Sequence, residues 1–91
     1  MTKFEWDAGK AKLNIRTHQV SFEEAETAIL DELSKTSPDP NHSFVESRFI
    51  TVGVSARRRL LVVSYTHRGD SIRIISARTA TKREREFYEE C

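Results

Sequence analysis

Arg48-Phe49-Ile50-Thr51-Val52-Gly53-Val54, Leu60-Leu61-Val62-Val63-Ser64-Tyr65-Thr66 and Ser71-Ile72-Arg73-Ile74-Ile75-Ser76-Ala77 are three runs rich in β-branched residues. The short polar stretches Ser55–Arg59 and His67–Asp70 separate them. β-Branched and aromatic side chains fit the pleated surface of a strand, and runs recurring at this interval suit consecutive antiparallel pairing. The three runs therefore predict a meander. Ile72, Ile74 and Ile75 put apolar groups on both faces, so the third run is expected inside the sheet rather than at its edge.

Working outward, the grammar is helical on both sides. Phe4-Glu5-Trp6-Asp7 alternates apolar and acidic and reads as a short strand. Asp7 can then cap a helix through about His18, with Ala8, Ala11 and Ile15 at helical spacing. Ser21-x-x-Glu24 forms a capping box, and Val20 with Ala25 can staple the entry of a second helix, about Phe22–Asp31. Phe22, Ala25, Ile29 and Leu33 make its apolar stripe, with Glu23, Glu24 and Glu26 outside. Lys35 to Ser37 reads as a short strand, before the turn-rich Ser37-Pro38-Asp39-Pro40-Asn41. Thr81-x-x-Glu84 is a second capping box, opening a last helix through about Glu89. The sum is one α+β domain: an antiparallel sheet with a helical pair packed on one face and a C-terminal helix.

Composition narrows the function. The chain has 91 residues, 37% hydrophobic and 32% charged, so it holds one small core under a surface crowded with ions. Its longest apolar run, Leu60–Val63, is far short of the ~20 residues a bilayer span needs. The acidic start Phe4-Glu5-Trp6-Asp7 is unlike a signal peptide, and a lone Cys91 permits no internal disulfide, so the expectation is a cytoplasmic protein. His18, His42 and His67 stand singly, which leaves a metal site to be assembled from distant segments. Gly9, Gly53 and Gly69 make no phosphate loop, and a terminal Cys91 cannot hold a nucleophile's geometry. No cofactor is implied.

The formal net charge of +1 averages two unlike halves. Residues 1–47 carry five Lys and Arg against nine acids, whereas residues 48–85 carry ten against two. Arginine dominates the basic half, and its planar fork matches phosphate or carboxylate in a bidentate way. Arg68 falls in a hairpin turn, Arg73 inside a strand, and Arg78 directly after that strand. Arginine within an apolar run needs a counter-ion, whether a phosphate or a carboxylate such as Glu46, Asp70 or Glu84. Tyr88, His67 and Glu84 add acid–base capacity. Metal-free RNA cleavage needs cations around the phosphate, a base for the 2′-hydroxyl and an acid for the departing 5′-oxygen. The alternatives are a turn histidine in solvent, a Tyr88 ring packed beside Phe87, and arginines that only brace the sheet.

These residues fall in an order that resembles a known family. Phe4-Glu5-Trp6-Asp7, Asn14, His18 and Val20-Ser21-Phe22-Glu23-Glu24-Ala25 are similar to the N-terminal signature of the BrnT toxins. The likeness runs on through Asp39-Pro40, His42, Glu46 and Arg48-Phe49-Ile50-Thr51-Val52-Gly53. It closes with Arg68-Gly69-Asp70, Ile72-Arg73-Ile74-Ile75-Ser76-Ala77-Arg78, Glu84 and Tyr88, and so spans nearly the whole chain. The resemblance implies a RelE-like ribonuclease of a type II toxin–antitoxin pair, neutralised by a small DNA-binding antitoxin, BrnA, that represses the shared operon. It implies Arg68, Arg73, Arg78, Glu84 and Tyr88 as catalytic candidates, with Lys82, Arg83, Arg48, His18 and Glu46 as RNA contacts. Two departures stand out. Thr17 replaces a lysine common before His18, and Gln19 replaces the glycine that usually ends the first helix, so Gln19 is expected to carry a left-handed turn. A non-catalytic RNA- or protein-binding module using the same basic face is the rival reading.

Overall fold

The computed structural model describes residues 2–40 and 46–90. The elements in chain order are β1 (Lys3–Glu5), α1 (Ala8–His18), α2 (Phe22–Ile29), β2 (Lys35–Pro38), β3 (Arg48–Val54), β4 (Leu60–Arg68), β5 (Ser71–Thr79) and α3 (Lys82–Glu89). The sheet order is β1-β5-β4-β3-β2. Strands β2 to β5 pair antiparallel, as the three β-branched runs imply, and β5 is internal. The short first strand adds a feature the patterning does not foretell: β1 lies parallel to β5, with Phe4 beside Ile72 and Glu5 beside Arg73. The α+β sheet is therefore mixed. No helix among the described residues is long and apolar enough to cross a membrane.

The helical pair covers one face. Asp7 caps α1 by accepting the Lys10 N–H at 2.9 Å, and Ser21 caps α2 by accepting the Glu24 N–H at 3.0 Å. Between them Gln19 takes φ 57° and ψ 35°, the left-handed turn expected where glycine is missing. Phe22, Ala25 and Ala28 of α2 pack on Leu61, Val63, Ile74 and Ala77, all buried, with Phe4 and Trp6 closing the flank. Trp6 meets the Phe22 ring edge-on at 5.9 Å. Burying a side chain such as Phe22 or Leu61 contributes about 1.5–3 kcal/mol, so this layer holds most of the apolar stabilisation.

Close approach of α2 to the sheet explains Gly53. A Cβ built there would stand 2.2 Å from the Ala28 carbonyl oxygen, a backbone atom that cannot swing aside. Gly53→Ala is therefore expected to destabilise the fold by about 1–3 kcal/mol, read as a lower denaturant midpoint in equilibrium unfolding.

Several expectations are corrected. Helix α2 ends at Ile29 rather than Asp31, because the Asp31 carboxylate turns to accept the N–H groups of Leu33 and Val54. Ile15 and Leu33, placed on apolar stripes, are exposed, while Asn14 and Glu24 are buried. Asn14 is buried because it serves as an edge partner. Its amide donates to Ala77 O at 2.8 Å and to Val20 O at 2.9 Å, and accepts from Ala77 N at 3.1 Å. Strand β4 runs on to Arg68, and β5 runs on to Thr79, so Arg78 lies within the strand opposite Val62 rather than after it. A two-residue turn of Gly69 and Asp70 joins them, with Gly69 at φ 58°, which a residue without Cβ adopts freely.

Candidate functional site

The second sheet face is only partly covered. Val52, Leu60 and Val62 bury there against Ile50, Ala80 and Tyr88, so among the described residues α3 shields one end and leaves the other open. Cross-strand neighbours project to the same side. The register sets Arg48 opposite Thr66, Thr66 opposite Arg73, and Arg73 beside Glu5. The next rows along the sheet are Ile50–Ser64–Ser76 and Val52–Val62–Arg78. A register shift between Ser64 and Tyr65 offsets β5 by one residue, and with it Arg48, Arg73 and Arg78 come to one surface. Between Arg48 and Arg78 lies a groove of about 230 Å³ lined by Asp39, Arg48, Ile50, Val62, Ser64, Ile75, Ser76 and Arg78.

Each of these arginines already faces a carboxylate. Arg78 donates from Nη1 and Nη2 to the two oxygens of Glu84 at 2.7 and 2.8 Å, a bidentate fork. Arg73 donates to Glu5 at 2.6 Å. Glu46 is shared, 3.6 Å from Arg48 and 3.4 Å from Arg68. The Arg48 Nε is buried and makes no hydrogen bond among the described residues. Carboxylate oxygens therefore stand where phosphate oxygens would fit the same forks.

Titration follows from these contacts. The Arg78 fork, with help from the Thr81 N–H, holds the Glu84 carboxyl down at about 2 against the opposition of burial. The same pairing raises Arg78. Glu84 also completes the capping box of α3 by accepting the Thr81 N–H at 2.8 Å, so one carboxylate fixes both the helix start and the arginine. A lowered folded-state value adds stability above the ordinary 4.5, which is lost as pH falls toward 2. Glu84→Gln is accordingly expected to flatten the acid limb of stability between those values, measured by urea unfolding at stepped pH.

Tyr88 is not brought into the groove. Its hydroxyl donates to Asp31 Oδ2 at 2.5 Å, which also accepts the Val54 N–H. The hydrogen bond to Asp31, with burial, pushes the phenol up to about 12, so it stays protonated throughout the physiological range. Lys35 holds the same end of α3, donating to the carbonyls of Phe87 and Glu90 at 2.6 and 2.7 Å. His18 lies elsewhere, in a cleft between α1 and β5 with Lys10, Leu13, Thr17, Ile75 and Ser76. Lys82 and Arg83 are exposed on α3. His42 and Cys91 lie outside the described residues, as does Asn41 of the turn-rich stretch.

Four residues at or beside the site escaped the sequence reading. Asp39, read as a turn residue and as part of the family likeness but not as a site residue, is buried and lines the groove, and its N–H donates to Arg48 O at 2.8 Å. Ser64 and Ser76 line it too, and each interrupts an apolar run at a position of the open face. That interruption was the available signal. Asp31, the anchor of Tyr88, gave none, since the two are 57 residues apart.

Comparison with known proteins gives this geometry a context. The family model described as "Ribonuclease toxin, BrnT, of type II toxin-antitoxin system" matches residues 6–84. The chain belongs to the BrnT toxin family. The BrnT family is one of ribonuclease toxins, and a type II system pairs the toxin with a protein antitoxin. Among solved structures, the 1.1 Å crystal structure of the Brucella abortus ribonuclease toxin BrnT is similar, with a TM-score of 0.70 at 22% identity. That match covers 90% of this chain and all of the Brucella chain, and at that identity it speaks for the fold. A search of curated proteins found no match.

Proposed function

We propose that this BrnT-family chain is a metal-independent endoribonuclease that takes RNA on its open sheet face, arrests translation and growth, and is neutralised by a BrnA-like, DNA-binding antitoxin in the cytoplasm. The observation that supports this most is the arrangement of Arg48 and Arg78 around one groove with Arg73 on the same sheet face, each facing a carboxylate where a phosphate would fit. In this reading the scissile phosphate displaces Glu84 from Arg78, and Arg68, Arg73 and Arg78 bear the charge that builds on it. The released Glu84 accepts the proton of the ribose 2′-hydroxyl. The 2′-oxygen attacks phosphorus, the bond to the 5′-oxygen breaks, and a donor protonates that oxygen. Tyr88, kept protonated by Asp31, is the donor once α3 shifts to admit RNA; resting hydrogen bonds at such sites commonly rearrange on binding. Arg48, Glu46, Lys82, Arg83 and His18 contact the flanking RNA.

Product chemistry tests this. Purified protein with a labelled RNA in excess EDTA is expected to give 2′,3′-cyclic phosphate and 5′-hydroxyl ends. Loss of cleavage on chelation overturns the metal-independent step. The ion pairs themselves favour a second reading, in which the arginines brace the sheet. It predicts salt-sensitive RNA binding, or none, with no cleavage at any protein concentration.

A further inference from the structure

The outer surface of α1 takes no part in the groove, yet it has the make-up of a recognition surface. From Ala8 to His18 the helix carries Lys10, Lys12 and Arg16 and no acid. Leu13 is 60% exposed in their midst, and Ile15 is exposed beside it. Lys10 and Arg16 stand three residues either side of Leu13, the helical spacing that makes surface neighbours. Leu13 also walls the cleft of about 290 Å³ between α1 and β5, whose far wall is Ile75 and Ser76. Here β5 lies between two edge partners: β1 pairs only with Ser71–Arg73, and Asn14 takes Ala77.

An apolar cleft rimmed by cations is complementary to an acidic amphipathic segment, with an aliphatic anchor inside and carboxylates on the rim. RNA suits it less well, because Leu13 and Ile75 give it aliphatic walls and His18 is the one ring in its lining on which a base could stack. The cleft also adjoins the arginine groove, since Ile75 and Ser76 line both. We propose that the α1–β5 cleft seats the antitoxin. An acidic amphipathic segment anchors an apolar side chain beside Leu13 and Ile75, sets its carboxylates on Lys10 and Arg16, and crosses Ser76 to overlap the edge of the groove. This rests on the antitoxin partnership proposed above, and it adds the surface and the chemistry of the contact.

The test is calorimetric titration of the full-length chain with the purified antitoxin encoded beside it, alongside RNA cleavage by the same preparations. Leu13→Asp and the double variant Lys10→Glu/Arg16→Glu are each expected to weaken binding about 30-fold or more, the size of a buried interface anchor. Cleavage stays within about two-fold of wild type, because these side chains lie outside the groove. Thermal melting confirms that both variants fold, as substitution of exposed residues allows. Unchanged affinity in both variants overturns the proposal, as does a wild type that does not bind this antitoxin. Cleavage that falls while affinity holds assigns the cleft to RNA and also overturns it. A wild type without ribonuclease activity refutes the catalytic reading alone, since the titration still reads the surface.

Discussion

Arg78→Ala is expected to lower RNA cleavage by about 10²–10³-fold, the usual consequence of removing one preorganised donor from a developing phosphoryl charge. Arg78 is singled out because its guanidinium presents both terminal nitrogens in parallel, as the contact with Glu84 demonstrates. A carboxylate occupies this fork, and the paired oxygens of a phosphate present the same acceptor geometry to it. The fold should survive, since the pair is partly exposed and such pairs contribute at most about 1 kcal/mol. Glu84→Gln supplies the contrast. It keeps Arg78 but removes the competing charge, so RNA affinity is expected to hold or rise while turnover falls by about 10²–10⁴-fold, the worth of a placed proton acceptor. Steady-state kinetics on both variants separates the roles: Arg78→Ala raises KM and lowers kcat, and Glu84→Gln lowers kcat alone. Equal losses in both parameters for both variants would return Glu84 to a bracing role.

The largest expected effect on stability lies away from the groove, at Arg59. Glu24 of α2 is almost fully buried, with 3% of its side chain exposed. Arg59 donates to both of its oxygens, and Ser55 adds a third hydrogen bond at 2.7 Å. Arg59 also donates to Gln19 O at 2.9 Å, and Thr27 accepts the Ala56 N–H at 2.8 Å. The β3–β4 hairpin is thereby pinned to α2. Arg59 holds the Glu24 carboxyl below the usual range despite burial. Arg59→Ala leaves that carboxylate in the interior without its counter-ion, and is expected to cost about 2–4 kcal/mol. For a domain this size the melting temperature then falls by roughly 10–25 °C, checked by calorimetry. The pH dependence carries the sign. In the variant, burial without the cation raises the Glu24 value, so the deficit is full at pH 7 and shrinks as pH falls and the carboxyl takes up its proton. A deficit independent of pH would mean that Arg59 acts by packing alone.

That pair also shows where sequence reasoning reached its limit. The strands were legible because alternation is local: β-branched runs and turn residues specify a pleated meander without reference to distant positions. Alternation alone separates Arg73 from Arg78, which stand an odd number of residues apart, and the register shift at Ser64/Tyr65 that brings them to one face could not be read from it. Helical periodicity was a poorer guide, because it assigns faces by hydrophobicity. Asn14 and Glu24 are buried against that rule, since strand β5, 63 residues away, and an arginine 35 residues away satisfy their polar atoms. The parallel docking of β1 was hidden for a similar reason, as the Glu5–Arg73 pair that accompanies it spans 68 residues. Arg73 needs a counter-ion by its place in an apolar run, and that counter-ion is the distant Glu5 rather than Glu46, Asp70 or Glu84. Tyr88 was read as an acid–base group, whereas its contact with Asp31 depends on how α3 returns over the sheet.

The central claim is that arginines of the open sheet face make this BrnT-family chain a ribonuclease. Its most direct measurement is the rate of RNA cleavage in EDTA by wild type and by the folded triple variant Arg68→Ala/Arg73→Ala/Arg78→Ala. Cleavage by wild type and its loss in the triple variant is the predicted result. A triple variant that folds and cleaves at the wild-type rate would contradict it.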